Sequence, residues 1–126
     1  MLARYKMYRG KRPASDPLPR GIRQDTRWKT RHILRPTREL VEPFLESTSA
    51  EAWKQYVPAY FAVLEERFAA DRKPFDDLAA LAERGDVFIG CSCPTKKNPV
   101  PGRCHTYLAL EFMKSKYPWL VIDAGS

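Results

Sequence analysis

Every cysteine of the chain, and one of its two histidines, falls within 15 residues: Cys91, Cys93, Cys104 and His105. The pattern is Cys-x-Cys, ten residues, then Cys-His. Thiolates and imidazoles hold zinc, and they also serve as nucleophile and base. Three chemistries therefore compete. Cys91, Cys93, Cys104 and His105 together are four zinc ligands of the right types. Against zinc, paired ligands usually stand about two to four residues apart, and neighbouring Cys and His rarely reach one ion. A thiolate on Cys91 or Cys104, with His105 as acid and base, is a nucleophile pair. Thiols that pack as small apolar groups at a strand end need no chemistry at all.

The surroundings of the cluster bear on that choice. Val87 to Cys91 is a short apolar run, and a helix is expected from Arg103, so the loop between them joins a strand end to a helix start. Ligands of open α/β sheets bind at strand carboxyl ends, and helix N-termini favour anions. The loop adds Lys96, Lys97, Thr95 and Asn98, and Arg103 follows. Pro19-Arg20-Gly21 reads either as a plain turn or as an arginine held near the strand ends to bind an anion. His32, alone in a basic stretch, is expected to be exposed rather than a ligand.

Elements that could position these residues follow from periodicity and punctuation. Ala3–Tyr8 alternates apolar and polar residues and reads as a first strand. Gly10–Gly21 holds three prolines and must be loop, and residues 22–36 show no period. A helix is predicted over Arg38–Glu46, with Thr37 as N-cap and Pro43 inside it. The longest helix is expected over 50–71, kinked at Pro58. Its stripe of Trp53, Tyr56, Tyr60, Leu64 and Phe68 is read as core. A third helix runs from Phe75 to Arg84 and stops at Gly85. A helix from Arg103 to Lys116 and a strand over Trp119–Ile122 close a right-handed βαβ unit over 87–122. The fold expected is α/β: a small three-layer, mostly parallel sheet of three to four strands flanked by helices.

Length and charge bound the function classes. The chain has 126 residues, which fits one domain over 1–126. Its net charge is +7, and three cysteines exclude a disulfide-stapled scaffold. No apolar run is long enough for a membrane span, and Met1–Arg12 has no apolar stretch behind it, so a cytoplasmic protein is expected. Residues 1–38 carry 12 Lys/Arg against two acids, whereas residues 39–126 carry ten against 13. That one-sided field attracts phosphorylated ligands or nucleic acid, or it is a solvated arm facing acidic helices. Trp28 is the one aromatic residue between Arg9 and Phe44, which argues against a dedicated single-strand binder.

Landmarks along the chain come in a distinctive order: Tyr5 to Arg9, Leu18-Pro19-Arg20-Gly21, Trp28, and Pro36-Thr37-Arg38-Glu39-Leu40. Trp53-Lys54-Gln55-Tyr56, Val87 to Cys91 and Cys104-His105 follow. This order resembles the bacterial family catalogued as domain of unknown function 488, in its YeaO-like branch. Two features depart from that family. Its second strand is shortened or lost before Leu18-Pro19-Arg20-Gly21, and the Cys-x-Cys-Pro loop is longer. The resemblance implies a compact three-layer α/β fold with a short parallel sheet and no settled activity.

The sequence thus points to an anion- or nucleotide-related site at the strand ends, built from Arg20, Cys91, Cys93, Cys104 and His105. In the enzymatic version, Cys91 or Cys104 is the nucleophile and His105 the acid and base. Arg20, Arg103 and Lys96 then hold the anion, and no cofactor is needed. In the binding version, the basic third meets nucleic acid or an acidic protein, and the cysteines are structural or hold zinc.

Overall fold

The computed structural model describes residues 1–124. In chain order the elements are β1 (Leu2–Lys6), β2 (Ile22–Asp25), α1 (Arg38–Glu46), α2 (Ala50–Ala70) and α3 (Lys73–Arg84). They continue with β3 (Val87–Cys91), α4 (His105–Lys116) and β4 (Ile122–Asp123). The four strands form one sheet in the order β2-β3-β1-β4, every pair parallel. No helix of the described residues is long and apolar enough to cross a membrane.

Caps set the helix starts. Thr37 Oγ1 accepts the Leu40 amide at 3.3 Å, and Ser49 Oγ accepts the Ala52 amide at 3.1 Å. Each satisfies one of the orphan donors of a first turn. Pro74 sits in the first turn of α3, where its missing N–H costs nothing. Pro58 does not end α2, which continues through it with the ring exposed. Gly85 closes α3 at φ −170°, so it is extended and not a left-handed stop.

Register decides which side chains meet the helices. Leu2 stands opposite Val87, Arg4 opposite Ile89 and Lys6 opposite Cys91. Side chains alternate along a strand, so Leu2, Arg4, Val87, Ile89 and Cys91 share one face. Leu2, Val87 and Ile89 join Phe44, Tyr60, Phe75 and Phe112, one from each helix, in a single core. Full burial of each such side chain is worth about 1.5–3 kcal/mol. Tyr60 is fully buried and its hydroxyl donates to Leu34 O at 2.6 Å, so its one polar group is satisfied.

The opposite face carries Ala3, Tyr5, Phe88 and Gly90. It is covered by the segment between β1 and β2, not by helices. Handedness explains this. The chain steps one way along the sheet from β2 to β3 and from β3 to β4, but the other way from β1 to β2. A right-handed crossover then puts residues 7–21 on the face away from the helices. A contact agrees: the Arg12 guanidinium of this segment lies 6.0 Å from the centre of the Tyr5 ring. The third layer is therefore a loop, as the prolines of this segment require.

Two strand expectations need correction. Residues 22–36 contain β2, a polar strand that periodicity misses. The terminal strand is only Ile122–Asp123, because Trp119 and Val121 are 54% and 64% exposed. The strands of the 87–122 unit are also not neighbours, since β1 lies between β3 and β4.

Candidate functional site

The crossovers leaving β1 and β3 go to opposite faces of the sheet. Between the carboxyl ends of such strands a crevice opens, which is where ligands of open α/β sheets bind. Lys6 and Cys91 are the last register pair there. From that point the chain enters the cysteine loop, and α4 returns with Cys104 at its N-cap position. The Sγ atoms of Cys91, Cys93 and Cys104 lie within 4.8 Å of one another. All three are free thiols. Cys91 and Cys104 are buried and Cys93 is half-buried.

Hydrogen bonds fix each sulfur. The Cys91 thiol donates to Cys93 Sγ at 3.9 Å. The Thr106 hydroxyl donates to Cys104 Sγ at 3.2 Å and accepts from Arg4 Nε at 3.0 Å. A second Arg4 nitrogen donates to the Cys93 carbonyl at 3.1 Å, and the guanidinium lies 4.5 Å above the Tyr107 ring. Arg4 thus ties β1 to both halves of the cysteine loop. Asn98 Nδ2 donates to Cys93 Sγ at 3.3 Å and to Arg103 O at 2.6 Å. Asn98 is 2% exposed, and its Oδ1 is buried without a hydrogen-bond partner among the described residues.

The cluster divides its protons unequally. Hydrogen bonds from Cys104, Cys91 and the Asn98 amide stabilise the Cys93 thiolate and hold its pKa well below the ordinary thiol range. Its hydrogen bonds with Cys104 and with Cys93, together with burial, push Cys91 far up. For Cys104, the bond to Cys91 favours the thiolate, but donation toward Cys93 and burial outweigh it and raise the pKa to about 11. Of the three sulfurs, Cys93 is thus the one that its surroundings favour as a thiolate.

His105 lies beside the cluster rather than in it. Its Nε2 is 2.8 Å from Thr26 Oγ1, and that hydroxyl donates to Gly90 O at 3.0 Å. The hydroxyl has one proton, so Nε2 is assigned as the donor and Nδ1 is left to accept. Nδ1 faces Cys104 Sγ at 3.8 Å. Burial holds the imidazole neutral, with its pKa lowered to about 4 despite the Cys93 charge. Its ring also meets Tyr60 edge-on at 5.8 Å, which joins the site to the core.

A cleft of about 240 Å³ opens above the three sulfurs. Trp28 forms part of its wall, with Phe44 of α1 and Trp53 and Tyr56 of α2. Trp53 and Tyr56 stack at 5.2 Å. Arg27, Lys97 and Arg103 supply positive charge at its lining. Arg27 is held by Asp25 at 2.8 Å and reaches Ser92 Oγ at 3.4 Å, and Arg103 donates to Thr48 O at 3.2 Å.

Of the residues named from sequence, Cys91, Cys93, Cys104, His105 and Arg103 line this cleft. Arg20 does not come near it. Arg20 is exposed and precedes β2, whose first residue Ile22 pairs with Val87 at the start of β3. At about 3.3 Å per residue, Val87 and Cys91 stand about 13 Å apart, so Arg20 belongs to the amino end of the sheet. Lys96 is exposed, and its neighbour Lys97 lines the cleft instead. His32 is not the exposed side chain expected. Its Nε2 donates to Gln24 Oε1 at 2.7 Å, its Nδ1 accepts the Leu34 amide at 3.1 Å, and burial lowers its pKa to about 4. Asn98, named with its loop, lies against Cys93, whereas Arg4, Thr26, Arg27 and Thr106 were not singled out from sequence. Only Arg4 left a signal, as a charge in phase with Leu2 on a strand.

A family model described as the active DUF488-N3 subclade, DUF488-N3a, matches residues 12–117. No curated protein and no solved structure is significantly similar to the chain. The match spans the cysteine loop, the aromatic wall and two of the four strands, β2 and β3. The chain belongs to the domain of unknown function 488 family.

Proposed function

We propose that the cleft is a thiol-dependent catalytic site for a small, planar, anionic ligand of the phosphorylated-nucleoside class. One observation carries the reading: a sulfur floor, an aromatic wall and a cationic lining meet at the switch point of a parallel sheet. Aromatic faces stack on planar rings, and arginine and lysine hold phosphate. Cys93 is the sulfur most open to the cleft, because it is the least buried of the three. His105 acts on Cys104 and holds it in place. Arg103 and Lys97 take the anion-binding role.

Size favours a small molecule over a polymer. At about 240 Å³ the cleft is a bounded pocket close to the lower end of small-molecule sites, and not an extended groove. Two of the N-terminal arginines also turn inward, with Arg4 bridging the cysteine loop and Arg27 paired to Asp25. The basic third therefore serves this site more than it forms a track for nucleic acid.

Tryptophan fluorescence tests the reading, since Trp28 and Trp53 line the cleft. Titration with adenosine monophosphate is expected to quench emission saturably, and more strongly than inorganic phosphate does. Combined Lys97→Ala and Arg103→Ala substitution removes the response, and raising salt from about 50 to 200 mM weakens it. A flat titration at millimolar nucleotide, or a response indifferent to both substitutions, refutes the assignment.

A further inference from the structure

We infer that Cys91, Cys93 and Cys104 are the three protein ligands of one thiophilic metal ion of the zinc class, with the fourth position opening into the cleft. The inference concerns the cleft described above, but the ligand set stands on the sulfur geometry alone.

Distance is the first argument. With metal–sulfur bonds near 2.3 Å and tetrahedral angles, two thiolates on one zinc ion stand about 3.8 Å apart. The Cys91 and Cys93 sulfurs stand 3.9 Å apart, and all three lie within 4.8 Å of one another. Small rotations of three side chains therefore complete the geometry. Neither of the other uses of cysteine asks for this convergence. A nucleophile needs one sulfur, and apolar packing needs no mutual approach.

The surroundings are the second argument. Thiolate ligands are oriented and tuned by hydrogen bonds from an outer shell. Here the Asn98 amide donates to Cys93 Sγ and the Thr106 hydroxyl to Cys104 Sγ. Arg4 in turn holds both Thr106 and the Cys93 carbonyl.

The third argument is Asn98 Oδ1. It belongs to a side chain that is 2% exposed and lines the cleft, yet it accepts nothing from the described residues. A buried carbonyl oxygen left unpaired costs about 1–3 kcal/mol. A metal-bound water, or a ligand group in the fourth position, is the donor it lacks. Three protein ligands with an open position mark catalytic rather than structural zinc.

The same geometry excludes the four-ligand set of Cys91, Cys93, Cys104 and His105. His105 Nε2 is committed to Thr26, and its ring is not among the ligand atoms that converge.

The test uses the full chain, purified under reducing conditions without chelator or affinity metal. Elemental analysis is expected to find one zinc per chain. Cobalt(II) added to chelator-stripped protein is expected to give the intense near-ultraviolet charge-transfer band of thiolate ligation and visible bands of tetrahedral cobalt. His105→Asn retains the metal, while Cys93→Ser loses it. Asn98→Ala keeps the site but weakens it by about 10–100-fold, as outer-shell losses do. If the cysteine variant does not fold, thiol titration of the wild type decides. Three thiols must be shielded with metal and reactive after chelation in a chain that is still folded. No stoichiometric metal after cobalt or zinc addition, with three reactive thiols in folded protein, overturns the inference. Metal loss on His105→Asn overturns the three-cysteine ligand set. The nucleotide titration fails or succeeds separately. Bound metal with no tryptophan response leaves this inference standing and removes only the ligand class.

Discussion

Two buried regions meet at the contact between Tyr60 and His105, and they are built on opposite terms. Under α2, α3 and α4, the core is aromatic and its polar atoms are paired. Phe68, Phe75 and Phe112 pack ring to edge at 5.3–5.9 Å, and the Tyr60 hydroxyl has its acceptor. At the crevice, three thiols crowd together, with Cys93 favoured as the thiolate, beside a buried amide oxygen that has no partner among the described residues. Satisfied packing gives stability, and local departures from it concentrate at functional sites. The two regions should therefore answer substitution differently, one in stability and the other in chemistry.

The largest expected effect lies in the core. Phe75 is fully buried between Phe68 and Phe112. Phe75→Ala should cost about 3–5 kcal/mol through lost burial and the cavity left behind. Urea denaturation measures the loss, and cobalt spectra of the folded variant should match wild type. Altered spectra would mean that core and crevice are not independent.

Acid comes next, through His32 at the margin of the crevice. Its Nδ1 accepts a backbone amide and its Nε2 donates to Gln24, so protonation must break the first bond. Asp25 favours the charged ring and Arg35 opposes it, but burial dominates and the folded pKa is about 4. The unfolded chain, near 6.5, takes the proton first as pH falls. Stability is thus complete above about pH 6.5 and is lost as pH drops toward 4. The loss is on the order of 2 kcal/mol between about pH 7.5 and pH 5. His32→Gln should remove about half of the acid slope in the urea midpoint profile, because His105, also lowered to about 4, carries a similar share. An NMR titration in which the His32 ring protonates near pH 6.5 would remove the basis of the expectation.

Arg4→Lys should act on the crevice with less energy. Lysine keeps the charge but cannot bridge Thr106 and the Cys93 carbonyl with one planar fork. A stability loss of about 1 kcal/mol is expected. Faster alkylation of Cys93 in metal-free protein would show the loop freed. Unchanged alkylation would make Arg4 a packing residue only.

What the sequence disclosed follows the same divide. The helices were legible because Thr37 and Ser49 cap them and their apolar residues keep a helical period. β3 was legible as a buried apolar run, whereas β2, with the sequence Ile-Arg-Gln-Asp and two exposed residues, carries no hydrophobic signal. In β1 the alternation has the right period, but both faces matter. Tyr5 and Met7 pack over Gly90 under the loop, while Arg4 points to the helix side and the cysteines. The thiol cluster was visible because all three cysteines share one loop. Its membership was not, because Cys104 ends the loop in extended conformation and turns to the other sulfurs, while His105 begins α4 and is directed to Thr26. Asn98 and the aromatic wall come together only through tertiary packing.

The smallest expected effect separates the two ends of the sheet. Arg20 and Arg103 looked equivalent as anion ligands in sequence, but register puts them at opposite ends of β3. Arg20→Ala removes an exposed side chain beside a turn, where Gly21 at φ +141° already sets the backbone and leaves no room for a Cβ against the Asp86 carbonyl. Its cost should stay within about 0.5 kcal/mol, and the nucleotide-induced quench should match wild type. Arg103→Ala should weaken that quench at equal stability. Nucleotide affinity that falls with Arg20→Ala as much as with Arg103→Ala would mean that the anion is held at the amino end, and the crevice would lose its claim to the ligand.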